Sequence, residues 1–403
     1  MPRRDRITAI LGFQNYEVTR FRRRHKREVE LWLWPKDRAW RCPKCRRIFD
    51  SSYDRQLIRL RDLDLAKHRS YLWVPRIRIN CPRCGVRRVR LEIARWRSRC
   101  TRRFEKWLFV LTGHMATSQV ARLYGLSWWT VRDAEVRYIE GLLRKRDLDG
   151  ITDLGIDEVA AKKGHRYLTL VTDLQQRRVI WVGEGRSRAT LKAFFRWFGE
   201  KRRRRLRRLV IDMHDPYEQE IRAQCPRATI VYDHFHLSKP LHLAIDNIRR
   251  RLQASLPPDG RRYLKGSRYL LLKGEENLTV NQRVRLKELL AVNEPLNAAY
   301  ILKEDFRTLF DELDSKRARK ALKEWKSRAR ESGLPELEAF VQMLNRRRYG
   351  ILNFFRHRIN NGLSEGYNNV VKTIKKMAYG FHDSHYFGLK ILRKCGKIEG
   401  SDR

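Results

Sequence analysis

The stretch between residues 151 and 240 constrains the fold most, because strand-like and helix-like runs alternate there in a fixed order. Three short runs rich in Val, Ile, Leu and aromatic residues come first, followed by ATLKAFFRWFGEK, whose apolar residues recur at helical spacing. Two further strand-like runs, RRLVIDM and ATIVYDHF, flank the helix-like run YEQEIRAQ. The order β-β-β-α-β-α-β predicts an α/β fold built on one mixed sheet.

The flanking segments have other patterns, so the chain is predicted to be multidomain. Residues 1–100 contain short β-like runs such as EVELWLW, SYLWVPRIRIN and RRVRLEI, whereas residues 101–150 switch to helical spacing. Residues 241–350 are mostly helical and charged, which predicts an α-helical insertion. Residues 351–403 are predicted to close the sheet domain with a helix.

An excess of positive charge is spread along the whole chain. Its 403 residues include 91 Lys and Arg against 46 Asp and Glu, a formal charge of +45. With 16 Phe and 11 Trp the chain can still bury a core, so it is not a disordered basic tail. The charge predicts an extended nucleic-acid track. The alternatives are a ribosomal or a membrane-surface protein, and no basic amphipathic helix favours the membrane.

Cellular location follows from what the sequence lacks. The N-terminus has no apolar signal region, and no segment approaches 18 consecutive apolar residues, which predicts a cytoplasmic protein with no membrane partner. Of seven cysteines, four form two CxxC pairs and three stand alone. That usage favours metal ligation in a reducing compartment over a disulfide framework.

The two CxxC pairs predict one structural zinc ion. Cys42 with Cys45, and Cys81 with Cys84, can each offer two thiolates from a tight turn to a tetrahedral Zn²⁺ with no open position. The 35 residues between the pairs must then hold extra strands or a hairpin. Two alternatives stay open: the cysteines are merely buried, or Cys100 is a displaced ligand. The sequence favours a zinc ribbon within the β-rich N-terminal module.

A helix-turn-helix is predicted within residues 101–150. The small side chain of Ala121 lets the two helices approach closely, and Gly125 can adopt the backbone conformation that the turn needs. Val131 would pack the second helix against the first. Ser127 would cap a recognition helix for DNA. That helix is predicted to expose Trp128, Thr130, Arg132 and Arg137. An ordinary helical hairpin is the alternative, and the basic flanks favour DNA.

Three carboxylates indicate metal-dependent chemistry. Asp157 and Asp212 are predicted to end two neighbouring strands, so that both meet at one end of the sheet. Glu365 opens a helix that presents Asn368, Asn369 and Lys372 on one polar face, a source of a third carboxylate and a phosphate-binding Lys. Three carboxylates holding two Mg²⁺ ions suit in-line displacement at phosphorus.

Other acids could substitute for members of this triad. The candidates are Glu158, Asp173, Asp215 and Asp233, of which Asp233 at the end of ATIVYD is the strongest. Asp233 and His236 form a DxxH element that could contact and orient the metal ligands without binding the metal. It is not predicted to bind zinc, because no further ligands lie close in sequence.

These motifs together resemble a known family, the DDE transposases of bacterial ISL3-type insertion sequences. The resemblance covers nearly the whole chain and rests most on GIDEVAAKKGHRYLTLVTDL, VIDMHDPY, ATIVYDHFHLSKPL and NGLSEGYNNVVKTIKKMAYGFHD. It implies that Asp157, Asp212 and Glu365 are the metal-binding triad of a ribonuclease-H-like domain. The helical segment between Asp233 and Glu365 would be the insertion of such enzymes. The zinc ribbon and helix-turn-helix would bind terminal inverted repeats.

The expected activity is DNA cleavage and strand transfer by a dimer or higher assembly on paired transposon ends, in the bacterial cytoplasm at the nucleoid. Water nicks the double-stranded DNA at the element boundary, and the freed 3′-hydroxyl attacks target DNA. Mg²⁺ or Mn²⁺ would be held by the triad, while Asn369 and Lys372 hold phosphate. The alternatives are a non-catalytic DNA-binding regulator, a resolvase or structure-specific nuclease, and an RNA-processing enzyme.

Overall fold

The computed structural model describes residues 8–9, 11–25, 27–162, 166–378 and 380–398. Both chain ends, and parts of the GIDEVAAKKGH and MAYGFHD motifs, lie outside the described residues. The chain divides into two compact units, which meet in sequence at residues 145 and 146. Within the described ranges no helix is long and apolar enough to cross a membrane.

The first unit begins with β-structure. Its seven strands are β1 (Tyr16–His25), β2 (Glu28–Pro35), β3 (Trp40–Arg41), β4 (Ile48–Phe49), β5 (Asp54–Arg61), β6 (Arg69–Cys81) and β7 (Gly85–Arg88). A sheet of order β1-β2-β6-β5, with β7 on β6, buries alternate residues such as Leu31 and Leu33 of β2 and Leu72 and Val74 of β6. The expected strand RRVRLEI is wrong beyond Arg88, where the edge strand β7 ends and irregular chain follows.

Three helices follow the strands in the described part of the first unit. They are α1 (Arg102–Thr112), α2 (Thr117–Tyr124) and α3 (Trp128–Arg144). Phe104, Leu108, Val120 and Val131 form their common core. Helical spacing over residues 101–150 is therefore confirmed.

The second unit contains the mixed sheet. Its strands are β8 (Asp153–Lys162), β9 (Arg166–Asp173), β10 (Arg178–Glu184), β11 (Arg208–Ile211) and β12 (Thr229–Tyr232), with α4 (Arg188–Phe198) and α5 (Glu200–Arg203) before β11 and α6 (Asp215–Gln224) after it. The strand order is β10-β9-β8-β11-β12, antiparallel among the first three and parallel from β8 to β12. The predicted β-β-β-α-β-α-β order and the mixed α/β fold are confirmed.

Helices make up the remainder of the second unit. They are α7 (Ser238–Ser255), α8 (Pro258–Leu264), α9 (Arg268–Leu272), α10 (Val280–Ala291), α11 (Glu294–Thr308), α12 (Ser315–Glu331), α13 (Pro335–Arg346), α14 (Arg348–His357), α15 (Leu363–Met377) and α16 (Ser384–Cys395). α14 packs along β12, where the Asn353 side chain donates to the Ile230 carbonyl at 2.8 Å. The chain thus returns to the sheet just before α15.

Gly155 of β8 lets this returning segment approach the sheet. A Cβ built at Gly155 would overlap the Oδ1 atom of Asn361, a side chain that is buried and whose amide lies 3.5 Å from the Ile156 carbonyl. Because Gly155 has no side chain, it leaves the space that the Asn361 side chain fills.

Gly155→Ala is expected to destabilise the protein by about 1–3 kcal/mol, since the buried Asn361 must move. The midpoint of thermal unfolding measures this effect. Gly366→Ala in α15 is the control, because an added Cβ there meets nothing within 4 Å and alanine favours the helix. Equal midpoints for the two variants would show that Asn361 does not depend on Gly155.

Candidate functional site

Asp157 and Asp212 lie at the same level of two neighbouring parallel strands. β8 and β11 are paired with Val210 opposite Gly155, so two residues further on Asp212 comes beside Asp157. The predicted adjacency of the two strands is confirmed. Asp157 does not end its strand, however, because β8 continues beyond it in antiparallel pairing with β9. The two acids therefore meet where β11 ends and β8 runs on.

His236 joins this pair of carboxylates. It lies in the short 3₁₀ turn His234–Leu237 that follows β12, and its Nε2 atom is 2.8 Å from Asp212 Oδ1. One ligand atom each from Asp157, Asp212 and His236 lies within 4.8 Å of the others. A DxxH spacing alone did not reveal this closeness, which depends on β12 lying beside β11.

Asp233 anchors two backbone segments beside the group of Asp157, Asp212 and His236. Its carboxylate is buried and accepts hydrogen bonds from the backbone N–H groups of Phe235 and Asn361, each at 3.2 Å. The first bond fixes the turn that carries His236, and the second anchors the approach to α15. Both of its carboxylate oxygens thus accept hydrogen bonds from the backbone.

Electrostatics at the site favour a cation. Burial raises the pKa of Asp157, and the neighbouring charge of Asp212 raises it further, while a hydrogen bond from the Glu158 N–H at 2.7 Å opposes the change. Burial alone would lower the pKa of His236, but the hydrogen bond to Asp212 and the nearby carboxylates raise it overall. The neighbouring carboxylates contribute to both shifts, and a bound cation would offset their charge.

Glu365 lies outside this group of ligand atoms. It is exposed in the first turn of α15, and its carboxylate is not within 4.8 Å of both aspartates. Its neighbours do reach the site: Ser364 hydrogen bonds to Asp157, and Asn368 Nδ2 donates to Asp157 Oδ2 at 3.3 Å. The first turn of α15 is therefore anchored directly on Asp157.

The sequence pattern identified the polar face of α15 but not which residues on it contact the sheet. Asn369 and Lys372 are exposed, and Lys372 Nζ lies 3.5 Å from Asn369 Oδ1. Asn361, which the sequence reasoning missed, is buried against Gly155. The asparagine pair that opens NNGLSEG marks this tight segment, although no periodic pattern shows its partner.

The other candidate acids have different surroundings. Glu158 is hydrogen bonded to Tyr217 and lies 3.9 Å from the His214 ring nitrogen, and burial, with the nearby charges of Asp212 and Asp157, raises its pKa. Asp173 is buried, where it pairs with an arginine and accepts backbone N–H groups of the β9–β10 turn. Asp215 is exposed and pairs with Arg347. Asp173 and Asp215 are therefore engaged by other partners, whereas Glu158 lies near Asp157 and Asp212 without joining their group of ligand atoms.

Four cysteines of the first unit converge as their spacing predicts. The sulfur atoms of Cys42, Cys45, Cys81 and Cys84 all lie within 4.8 Å of one another, and the β5–β6 hairpin fills the interval between the pairs. Backbone hydrogen bonds from Cys45 and Lys44 lower the pKa of Cys42 to about 6, whereas burial raises that of Cys84 to about 12. These four thiols could hold a tetrahedral cation.

Cys100 is not part of the cysteine group. It is buried in the core of the helical segment, near Phe104 and Leu108, and burial raises the pKa of its thiol to about 12. The alternative of Cys100 as a displaced ligand is thus not supported by its position.

The helices α2 and α3 have the predicted connection. Gly125 takes a left-handed conformation with φ of 62°, the Leu126 N–H donates to the Ala121 carbonyl at 2.9 Å, and Ser127 Oγ accepts from the Thr130 N–H at 3.2 Å. Val131 is fully buried between the helices.

The exposed surface of α3 differs from the expected one. Trp128, Thr130 and Arg132 are half-buried, whereas Trp129 is 65% exposed. Arg137 donates to the buried Glu105 of α1 at 2.5 Å, so this guanidinium ties the two helices together. Trp129 is the more accessible side chain at the start of α3.

Two family profiles match this chain. A family described as a transposase matches residues 154–391, and the helix-turn-helix domain of transposase family ISL3 matches residues 89–139. The chain is 36% identical to the transposase for insertion sequence element IS1001 of Bordetella parapertussis, over 96% of this chain and 97% of that relative. It is 29% identical to the transposase for insertion sequence element IS1557 of Mycobacterium tuberculosis, over 85% and 82% of the two chains. The chain belongs to the ISL3 family of transposases.

Proposed function

We propose that this transposase cuts DNA at the terminal inverted repeats of its element and joins the ends to target DNA, with Asp157, Asp212 and Glu365 as a metal-binding triad. One observation carries the proposal: Asp157 and Asp212 converge from adjacent parallel strands beside His236. The strand order β10-β9-β8-β11-β12 supports a ribonuclease-H-like sheet. No specific observation favours the non-catalytic regulator.

The residues present fit two divalent ions such as Mg²⁺ or Mn²⁺. Asp157 and Asp212 supply hard oxygen ligands, and burial, together with the neighbouring charge of Asp212, raises the pKa of Asp157, an effect that a bound cation would offset. When bound, the ions would activate the attacking oxygen and stabilise the leaving one. His236, at 2.8 Å from Asp212, acts as a positioning residue that orients this carboxylate.

Glu365 would complete the site by a change of side-chain rotamer. Ser364 and Asn368 flank it on α15, and both hydrogen bond to Asp157. The backbone of Glu365 is therefore held beside the site, and its exposed carboxylate is able to turn toward a cation. Helical geometry supports this assignment, since residues three apart lie on neighbouring positions of one helix surface.

The remaining parts of the chain would hold the DNA. Lys372 and Asn369 follow Glu365 along α15 and would contact a phosphate of the scissile or flanking strand. The cysteine group would hold one structural Zn²⁺ in a ribbon that acts with the helix-turn-helix on the terminal repeats. Two or more copies would pair the two transposon ends.

The domain organisation that accompanies this function has five segments. Residues 1–100 form the ribbon module and residues 101–150 the helix-turn-helix. Residues 151–240 and 351–403 build the catalytic domain around an insertion at 241–350. Support comes from the helices of the insertion, which leave and return beside β12.

Asp157→Asn and Asp212→Asn should each lower cleavage and strand transfer by more than about 10²-fold, because several kcal/mol of metal-ion stabilisation are lost. Binding to the terminal-repeat duplex should stay near that of the unchanged protein. The measurement follows cleaved and joined products of a labelled duplex with Mg²⁺ or Mn²⁺.

Asp215→Asn is the matched control for these variants. Asp215 lies three residues from Asp212, is exposed and pairs with Arg347, so its loss should change activity by less than about threefold. Activity that survives in Asp157→Asn, or that is lost equally in Asp215→Asn, would refute the assigned triad.

The double variant Cys42→Ser and Cys45→Ser should lose the single zinc ion expected per chain and unfold the ribbon module, because ligand loss removes folding free energy. Metal analysis of the purified protein and circular dichroism measure the two effects. Cys225→Ala, a buried cysteine of the second unit, should keep the zinc content unchanged. Full zinc content in the double variant would exclude this site.

A further inference from the structure

A cleft rich in arginine lies in the first unit, apart from the predicted recognition helix. It is bounded by β6, β7 and the irregular residues 89–98, and has a volume of about 780 Å³. Half of its lining residues are arginines and none is acidic. We call it the arginine cleft. An opening of this size exceeds the volume of a single phosphate group.

Much of the charge in the arginine cleft lacks compensation within the protein. Arg78 pairs with Asp54, and Arg95 pairs with Glu105 at 3.2 Å. In contrast, Arg76, Arg88 and Arg97 form no ion pair with a described carboxylate. Burial, together with the charges of neighbouring arginines, holds the pKa of Arg88 below its usual value. Such crowding is unfavourable unless an anion occupies the cleft.

The exposed aromatic side chain of Trp96 lies next to these arginines. Trp96 is 62% exposed, and the guanidinium carbon of Arg88 lies 4.5 Å from its ring centroid. The next residue, Arg97, has φ of 60°, a left-handed conformation that few non-glycine residues adopt. This turn presents the Trp96 ring at the cleft. An exposed ring beside guanidinium groups that have no carboxylate partner suits a ligand that combines phosphates with flat or apolar groups.

We propose that the arginine cleft binds the phosphate backbone of duplex DNA at the transposon end, with Trp96 packed against the sugar and base edge. This inference rests on the proposed binding of terminal repeats and names the surface of the ribbon module that would make this contact beside the recognition helix. Phosphate contacts position a protein on DNA without reading its sequence. The cleft would thus set the register in which α3 meets its bases.

The test compares the full-length double variant Arg88→Gln and Arg97→Gln with the unchanged protein, using a fluorescent duplex that carries the terminal inverted repeat. The slope of log affinity against log salt concentration, between about 50 and 200 mM, should decrease in magnitude by about 1.8, because each lost phosphate contact removes about 0.9. Trp96→Ala should weaken binding about fivefold or more and leave the slope unchanged, since the side chain is uncharged.

Arg250→Gln with Lys320→Gln removes the same charge from the second unit, where both side chains are exposed and paired with Asp246 and Glu324. This control should keep the slope of the unchanged protein. If the cleft variant unfolds at a lower temperature, Arg87→Gln with Arg90→Gln at the exposed lip replaces it, with the same expected decrease.

An unchanged slope in the folded cleft variants, or an equal decrease in the control, overturns the cleft as a DNA contact. If the unchanged protein still binds and cuts the duplex in that case, the proposed transposase chemistry stands. Failure of the unchanged protein to bind the duplex overturns both proposals. Equal competition by single-stranded DNA of the same sequence overturns the assignment to a duplex.

Discussion

Parallel pairing of β11 with both of its neighbours determines how charge is arranged at the candidate metal site. Val210 lies opposite Gly155 of β8, and Ile211 lies opposite Tyr232 of β12. The next positions on the three strands therefore bring Asp157, Asp212 and Asp233 to one level. Neighbouring strands lie roughly 4.8 Å apart, so three carboxylates in a row repel one another strongly unless each is compensated.

The protein compensates these three carboxylates in different ways. Asp233 accepts two backbone N–H groups and is thereby used for structure. Asp157 accepts the Glu158 N–H and the Asn368 amide, and Asp212 has the His236 ring at 2.8 Å. Both oxygens of Asp233 accept backbone N–H groups that the fold fixes, whereas only one oxygen of Asp157 does so, and the side-chain partners of Asp157 and Asp212 can shift when a cation arrives. This difference supports the proposal that Asp157 and Asp212, not Asp233, hold the metal.

Much of the architecture was predictable from the sequence, because buried strands and amphipathic helices have different periods. The convergence of the four cysteines was also predictable, since two CxxC turns share one chemical requirement. Periodicity could not show that β8 continues past Asp157, because this depends on its pairing with β9. Periodicity also could not show that Arg137 pairs with Glu105. Which side chains of a helix are exposed depends on the elements packed against that helix, and the sequence pattern does not give these.

Contacts across long sequence separations were the least predictable part of the site. Asn361 bonds to Asp233 from 128 residues away, and between them lies the whole helical insertion. The insertion begins after the turn that carries His236, and α14 returns along β12, the strand that precedes this turn. Both ends of the insertion are therefore anchored to the same strand.

That anchoring explains how a long insertion coexists with a narrowly defined site. Closing a longer loop costs little additional free energy once its two ends are held together. Across the helices between α7 and α14, Asn361 reaches Asp233 and fills the space at Gly155. α15 then begins at a fixed point, and Asn368 meets Asp157 one helical turn after Glu365. The position of Glu365 thus depends on contacts of its helix with the sheet that bridge a long separation in sequence.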